Sequence, residues 1–162
     1  MASLRATAFD VSVFTEFSNL TQGDVSNTSF GGNLEYISLA FPTRNPYTDI
    51  FERKDNDFKH ALGFSLIPHT VVGYNINTTE TLEDFGEINT NYVGSGGTYK
   101  FIVSNGAKYK NFSAGLNLGY LFGKINYSRD IEFSLLNAYN LEYETNYSIS
   151  GFVWNSGFLY NH

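Results

Sequence analysis

NFSAGLNLGYLFGKINYSRDIEF, residues 111–133, alternates for longer than a strand of a soluble domain normally does. Phe112, Ala114, Leu116, Leu118, Tyr120 and Phe122 share one parity, while Ser113, Gly115, Asn117 and Gly119 share the other, with Leu121 the exception. Side chains along a strand point alternately to opposite faces, so this period of two makes one face greasy and the other small and polar. Strands of globular proteins run roughly 5–6 residues, whereas a bilayer-crossing strand needs about 9–11. The stretch therefore predicts a strand of an outer-membrane β-barrel, with its apolar side toward lipid.

The neighbouring segments read the same way. Residues 5–17 alternate, with Phe9, Val11, Val13 and Phe17 on one side and Asp10, Ser12 and Glu16 on the other, Phe14 breaking the second set. SNLTQGDVSNTS, residues 18–29, is turn-rich and predicts an exposed loop, followed by a strand over 31–41 in which Glu35 falls on the side of Ile37 and Leu39. Pro42 and Pro46 stop pairing, and 46–52 is predicted as one short helical turn inside the most charged stretch of the chain. Residues 60–80 predict a long strand bent at Pro68, and 87–104 another that contains GSGG at 94–97, where glycine permits a bulge. SNGAKYK, 104–110, predicts a hairpin at its Asn-Gly pair, and a phase change at Gly123 and Lys124 predicts a second bulge. The last strand is 142–160, with Phe152, Trp154, Phe158 and Tyr160 placed as an aromatic girdle. The fold class expected is all-β, an antiparallel up-and-down transmembrane barrel built as a partial barrel of six to eight long strands. It is six if Pro68 and the glycines only kink their strands, and eight if they break them. Six strands fall short of the roughly eight of the smallest closed barrels.

Composition agrees. Aromatic residues are 17% of the 162 and charged residues only 16%, below the usual figure of about 25%. No run of about 20 apolar residues exists for a membrane helix, and the mean hydropathy of -0.22 is uninformative because alternation averages out the apolar face. The absence of cysteine excludes a disulfide framework and thiolate metal sites. A net charge of -6 with scattered Lys and Arg excludes a nucleic-acid surface. The start MASLRATAFDVSV lacks the basic region and apolar run of a signal peptide, which reads as a mature or truncated beginning.

Several stretches carry a family likeness. RATAFDVSVFTEFSNLTQGD, LEYISLAFP, ALGFSLIPHTVVGY, GSGGTYKFIVSNGAKYKNFSAGLNLGYLFGKI and ISGFVWNSGFLY together resemble the barrel of FadL-like outer-membrane proteins, transporters of long-chain fatty acids and other hydrophobic compounds. The resemblance implies a larger barrel of about fourteen strands, within the even-numbered range of such barrels. It also implies a plugging N-terminal hatch and sideways substrate exit through a kinked strand. By it the chain, 1–162, is a single barrel domain or barrel fragment with hatch and closing strands absent. The partners expected are the lipid bilayer of the bacterial outer membrane, a hydrophobic small-molecule ligand, and the remaining strands of a longer chain, with no nucleic acid and no cofactor.

The site candidates are few. Pro68, Gly94, Gly96 and Gly97 read either as a lateral opening in the wall or as a structural kink with no traffic through it. The GSGG run is no phosphate cradle, since no helix pattern and no Lys-Ser or Lys-Thr pair follows it. Asp55, Asn56 and Asp57 offer oxygens to calcium but lack the glycine and distal Glu of an EF-hand, so a solvated turn is the simpler reading. His60, His69 and His162 have no metal spacing, and His69 has no Ser in a nucleophile setting beside it. The chain is thus expected not to be an enzyme. Three functions stand open: passive uptake of hydrophobic compounds, a docking or secretion-associated barrel acting through its loops, and a soluble β-sandwich binding module.

Overall fold

The computed structural model describes residues 4–22, 25–44, 57–82, 86–134 and 139–161. The expected helical turn at 46–52, Asp55, Asn56 and His162 lie outside them. Six strands form one antiparallel sheet in simple sequence order: β1 (Ala8–Gln22), β2 (Val25–Pro42), β3 (Phe58–Leu82), β4 (Gly86–Tyr109), β5 (Phe112–Phe133) and β6 (Leu141–Tyr160). The all-β, antiparallel up-and-down architecture read from the sequence is the one present, with six strands. Pro68 sits inside β3 and Gly94, Gly96 and Gly97 inside β4, so neither feature splits a strand and the count does not rise to eight. Lengths of 15 to 25 residues exceed the about 9–11 that cross a bilayer.

Two expected loops are strands. Residues 18–22 and 25–29 pair with each other down to Gln22↔Val25, so only 23 and 24 separate β1 from β2. Their Asn, Ser and Thr side chains show no apolar alternation, yet backbone pairing satisfies N–H and C=O whatever the side chain is. The Asn-Gly pair at 105–106 is also strand. The turn lies at Lys110–Asn111, and Lys110 takes the left-handed conformation (φ 51°). Gly106 is buried and the Asn105 side chain meets His60 Nε2 at 3.1 Å, so tertiary contacts override the local turn preference.

Register explains the misfit at Glu35. Ser12 pairs with Tyr36 and Val13 with Leu34, which leaves Glu35 as the extra residue of a bulge. The slip changes the parity of β2, so Leu39, Ile37, Leu34 and Phe30 stand opposite Phe9, Val11, Val13 and Phe17. Farther along the sheet Leu39 pairs with Phe64 and Ile37 with Leu66.

The chain divides into two compact units. The first holds residues 1–68, 100–120 and 152–162, and the second 69–99 and 121–151.

Candidate functional site

In the first unit the sheet has one apolar and one polar face. On the apolar face rings meet across strands: Phe17 and Phe30 at 4.7 Å, Phe64 and Phe101 at 6.3 Å, Tyr120 and Phe152 at 4.9 Å, and Phe112 and Phe158 at 6.1 Å between centroids. A Cβ on Gly119 would meet Val153 and the Ile102 side chain, which puts those residues on the opposite face. Large apolar side chains on the first face, such as Phe17, Leu118 and Phe152, are exposed, as they would be if lipid rather than protein covered them. The other face carries polar pairs. Ser12 Oγ donates to Glu35 Oε2 (2.5 Å), Tyr36 Oη to Asp10 Oδ2 (2.8 Å) and Asn117 Nδ2 to Asn155 Oδ1 (2.7 Å). All three bonds lie exposed on that face.

His60 ties three strand ends together. Its Nδ1 lies 2.8 Å from Thr43 Oγ1, its Nε2 3.1 Å from Asn105 Oδ1, and its ring stacks on Phe58. Beside it Lys110 Nζ stands 3.7 Å from Asp57 Oδ2. Asp57 therefore serves the end of β4, and His69, exposed on β3, lies in the second unit. Among the described residues no group of three His, Asp or Glu could hold a metal ion.

The second unit contains Gly94, Gly96 and Gly97, whereas Pro68 is the last residue of its segment in the first. The Tyr74 ring occupies the space a Cβ on Gly94 would need. A Cβ on Gly97 would come 2.6 Å from the Thr70 carbonyl, and one on Gly96 would meet that of Lys124. Gly96 (φ 107°) and Gly123 (φ 153°) hold conformations that L side chains rarely adopt. At this seam glycine lets the backbones of β3, β4 and β5 approach closely. Ring-bearing positions change parity across it, from Tyr99 to Tyr92 on β4 and from Phe122 to Tyr127 on β5.

The polar face of this unit holds a feature that the sequence reading passed over. Asn75 and Asn77 of β3, Asn89 and Asn91 of β4, and Asp130 and Glu132 of β5 line one polar depression. The N-x-N, N-x-N and D-x-E spacings are its signature, since residues two apart share a face. Thr79 donates to Asn89 Oδ1 (2.6 Å), while Asn91 Oδ1 is buried without a partner. On the other face Arg129 lies over the Tyr92 ring at 5.3 Å.

This arrangement supplies surfaces and edges for contact. Comparison with known proteins gives the family. The BamG family model matches residues 1–162, the full length of the chain. Neither a curated protein nor a solved structure matches it. The match overturns the FadL-like resemblance and with it uptake of fatty acids or other hydrophobic compounds. The residues that carried the resemblance, Gly and aromatic alternation above all, are imposed on many barrels by lipid on one face and close packing on the other, so they identify the environment rather than the family. Of the other functions read from the sequence, docking at the outer membrane is the nearer. By the match over its whole length the chain belongs to the BamG family, and so to the proteins associated with the bacterial outer membrane.

Proposed function

We propose that this chain is a membrane-embedded component associated with the BAM complex, which assembles outer-membrane proteins, and that it acts by contact rather than by covalent chemistry. The family match over 1–162 carries the reading. The exposed apolar face fits it, because long strands with rings facing outward suit a protein seated in the same bilayer as its partners. The test is affinity purification of a tagged chain from outer membranes in mild detergent. Recovery of other BAM components is expected, and depletion of the chain should lower the amount of folded outer-membrane proteins. Purification free of BAM components, with unchanged levels of those proteins on depletion, would overturn the reading.

A further inference from the structure

We propose that the polar depression of the second unit is a calcium site, in which Asp130 and Glu132 supply the charge and Asn75, Asn77, Asn89 and Asn91 the amide oxygens. The proposal goes beyond association with the BAM complex and does not rest on it.

Charge is shared unevenly between the two units. Residues 69–99 and 121–151 carry eight Asp and Glu against only Lys124 and Arg129, whereas the first unit carries eight acidic and eight basic residues. The whole net charge of -6 therefore falls in the second unit. Of the two cations there, Arg129 is held over the Tyr92 ring on the face opposite the depression. The one ion pair among the described residues joins Lys110 and Asp57 in the first unit, so neither Asp130 nor Glu132 has a cationic partner there. Clustered charge of one sign raises the local concentration of counter-ions.

The depression gives a counter-ion its ligands. Asp130 and Glu132 are two residues apart on β5, so they share a face with their Cα atoms about 7 Å apart. Left alone the two carboxylates repel, whereas both can reach a calcium ion that takes its oxygens at about 2.3–2.6 Å. Calcium loops likewise offer oxygens from alternate residues. A separate observation comes from β4, where Asn91 Oδ1 is buried and has no hydrogen-bond partner. An acceptor left unmade in that position is costly, and a bound cation would satisfy it. Thr79 Oγ1 donates to Asn89 Oδ1 at 2.6 Å, which fixes that amide and leaves its oxygen a second lone pair.

The donor set selects the ion. Among the described residues no third His, Asp or Glu joins the two carboxylates, so a zinc-type site is not formed. Amide and carboxylate oxygens are hard ligands that suit calcium. No apolar or aromatic side chain lines the depression, which argues against a lipid tail or a stacked ring as its occupant. Its volume of about 290 Å³ exceeds that of an ion, so water completes the shell and the affinity should match extracellular calcium modules, about 10⁻⁴–10⁻³ M.

The test is equilibrium dialysis of the chelator-stripped full chain in mild detergent against labelled calcium, at fixed ionic strength. Saturable binding of one ion per chain is expected, with magnesium, which demands a tighter octahedral shell, competing more weakly. Asp130→Asn and Glu132→Gln should each weaken binding by about tenfold, and the double variant should abolish it. Asn91→Asp, which adds a third carboxylate, should tighten it by about tenfold, and Asp57→Asn in the first unit should leave it unchanged. A heat-modifiable band shows which variants are folded, and only those are scored. The proposal is overturned if the unsubstituted chain shows no saturable binding up to about 10 mM calcium, tenfold above the expected range. Binding that survives in the folded double variant, or that magnesium or sodium displaces as readily as calcium itself, overturns it as well.

Discussion

A methyl group at Gly123 would meet the backbone of β4 at Gly97 and Thr98, on a residue whose φ of 153° is already unfavourable for an L side chain. Gly96, at φ 107°, faces the Lys124 carbonyl in the same way. Gly31 has nothing within 4 Å of the position a Cβ would take, although it too is a strand glycine. Gly123→Ala and Gly96→Ala are therefore expected to destabilise by about 1–3 kcal/mol each, the cost of a disfavoured conformation, with any backbone shift added. Gly31→Ala should be neutral, or stabilising by less than about 1 kcal/mol. Urea unfolding of the protein refolded in lipid vesicles checks all three. The Lys110–Asp57 pair has the opposite character. Both side chains are more than half exposed, so Asp57→Asn should change stability by less than about 1 kcal/mol, and the difference should shrink further in high salt.

At the scale of the element, the bulge at Glu35 sets which residues of β2 share the apolar face with Phe9, Val11 and Phe17. Deleting Glu35 removes the slip between Ser12 and Val13 and turns Leu34 and Phe30 to the face of Asp10 and Ser12. The deletion should therefore abolish the heat-modifiable folded band. Glu35→Ser, which keeps the residue count, should retain it and lose only the exposed bond from Ser12 Oγ, worth about 1 kcal/mol or less. Gel shift of the two variants in detergent, with and without boiling, tests this. The glycine seam between β4 and β5 does comparable work in the second unit, because the parity of rings changes at both strands there.

At the scale of the whole molecule, the two faces of the strands differ in chemistry. Leu118 is exposed on the apolar face of β5, beside Asn117, which bonds Asn155 on the other. If lipid covers the first face, Leu118→Arg should cost about 2–4 kcal/mol near the bilayer centre. Asn117→Arg should cost about 1 kcal/mol, the loss of one neutral hydrogen bond. Equal effects in vesicle unfolding experiments would mean that water covers both faces.

Most of the fold was legible in the amino-acid sequence, because alternation is a local property: the faces of β5 up to Phe122 follow from the two-residue period alone. The hairpin between β1 and β2 was not, since 18–29 carries polar side chains whose pairing is decided by the backbone across the strand. Asn105-Gly106 misled for a related reason, a turn-forming pair held in a strand by its contact with His60. The misfit at Glu35 became a bulge only through cross-strand register, whereas the glycines at 94–97 and the phase change at Gly123 already pointed to bulges in the sequence. The family, too, was beyond periodicity, because lipid selects the same alternation in every barrel. The sequence by itself determined that these are long strands with one apolar face. Only the tertiary structure decided that the described residues form six strands and how β1, β2 and β3 register, because pairing depends on residues far apart in the chain.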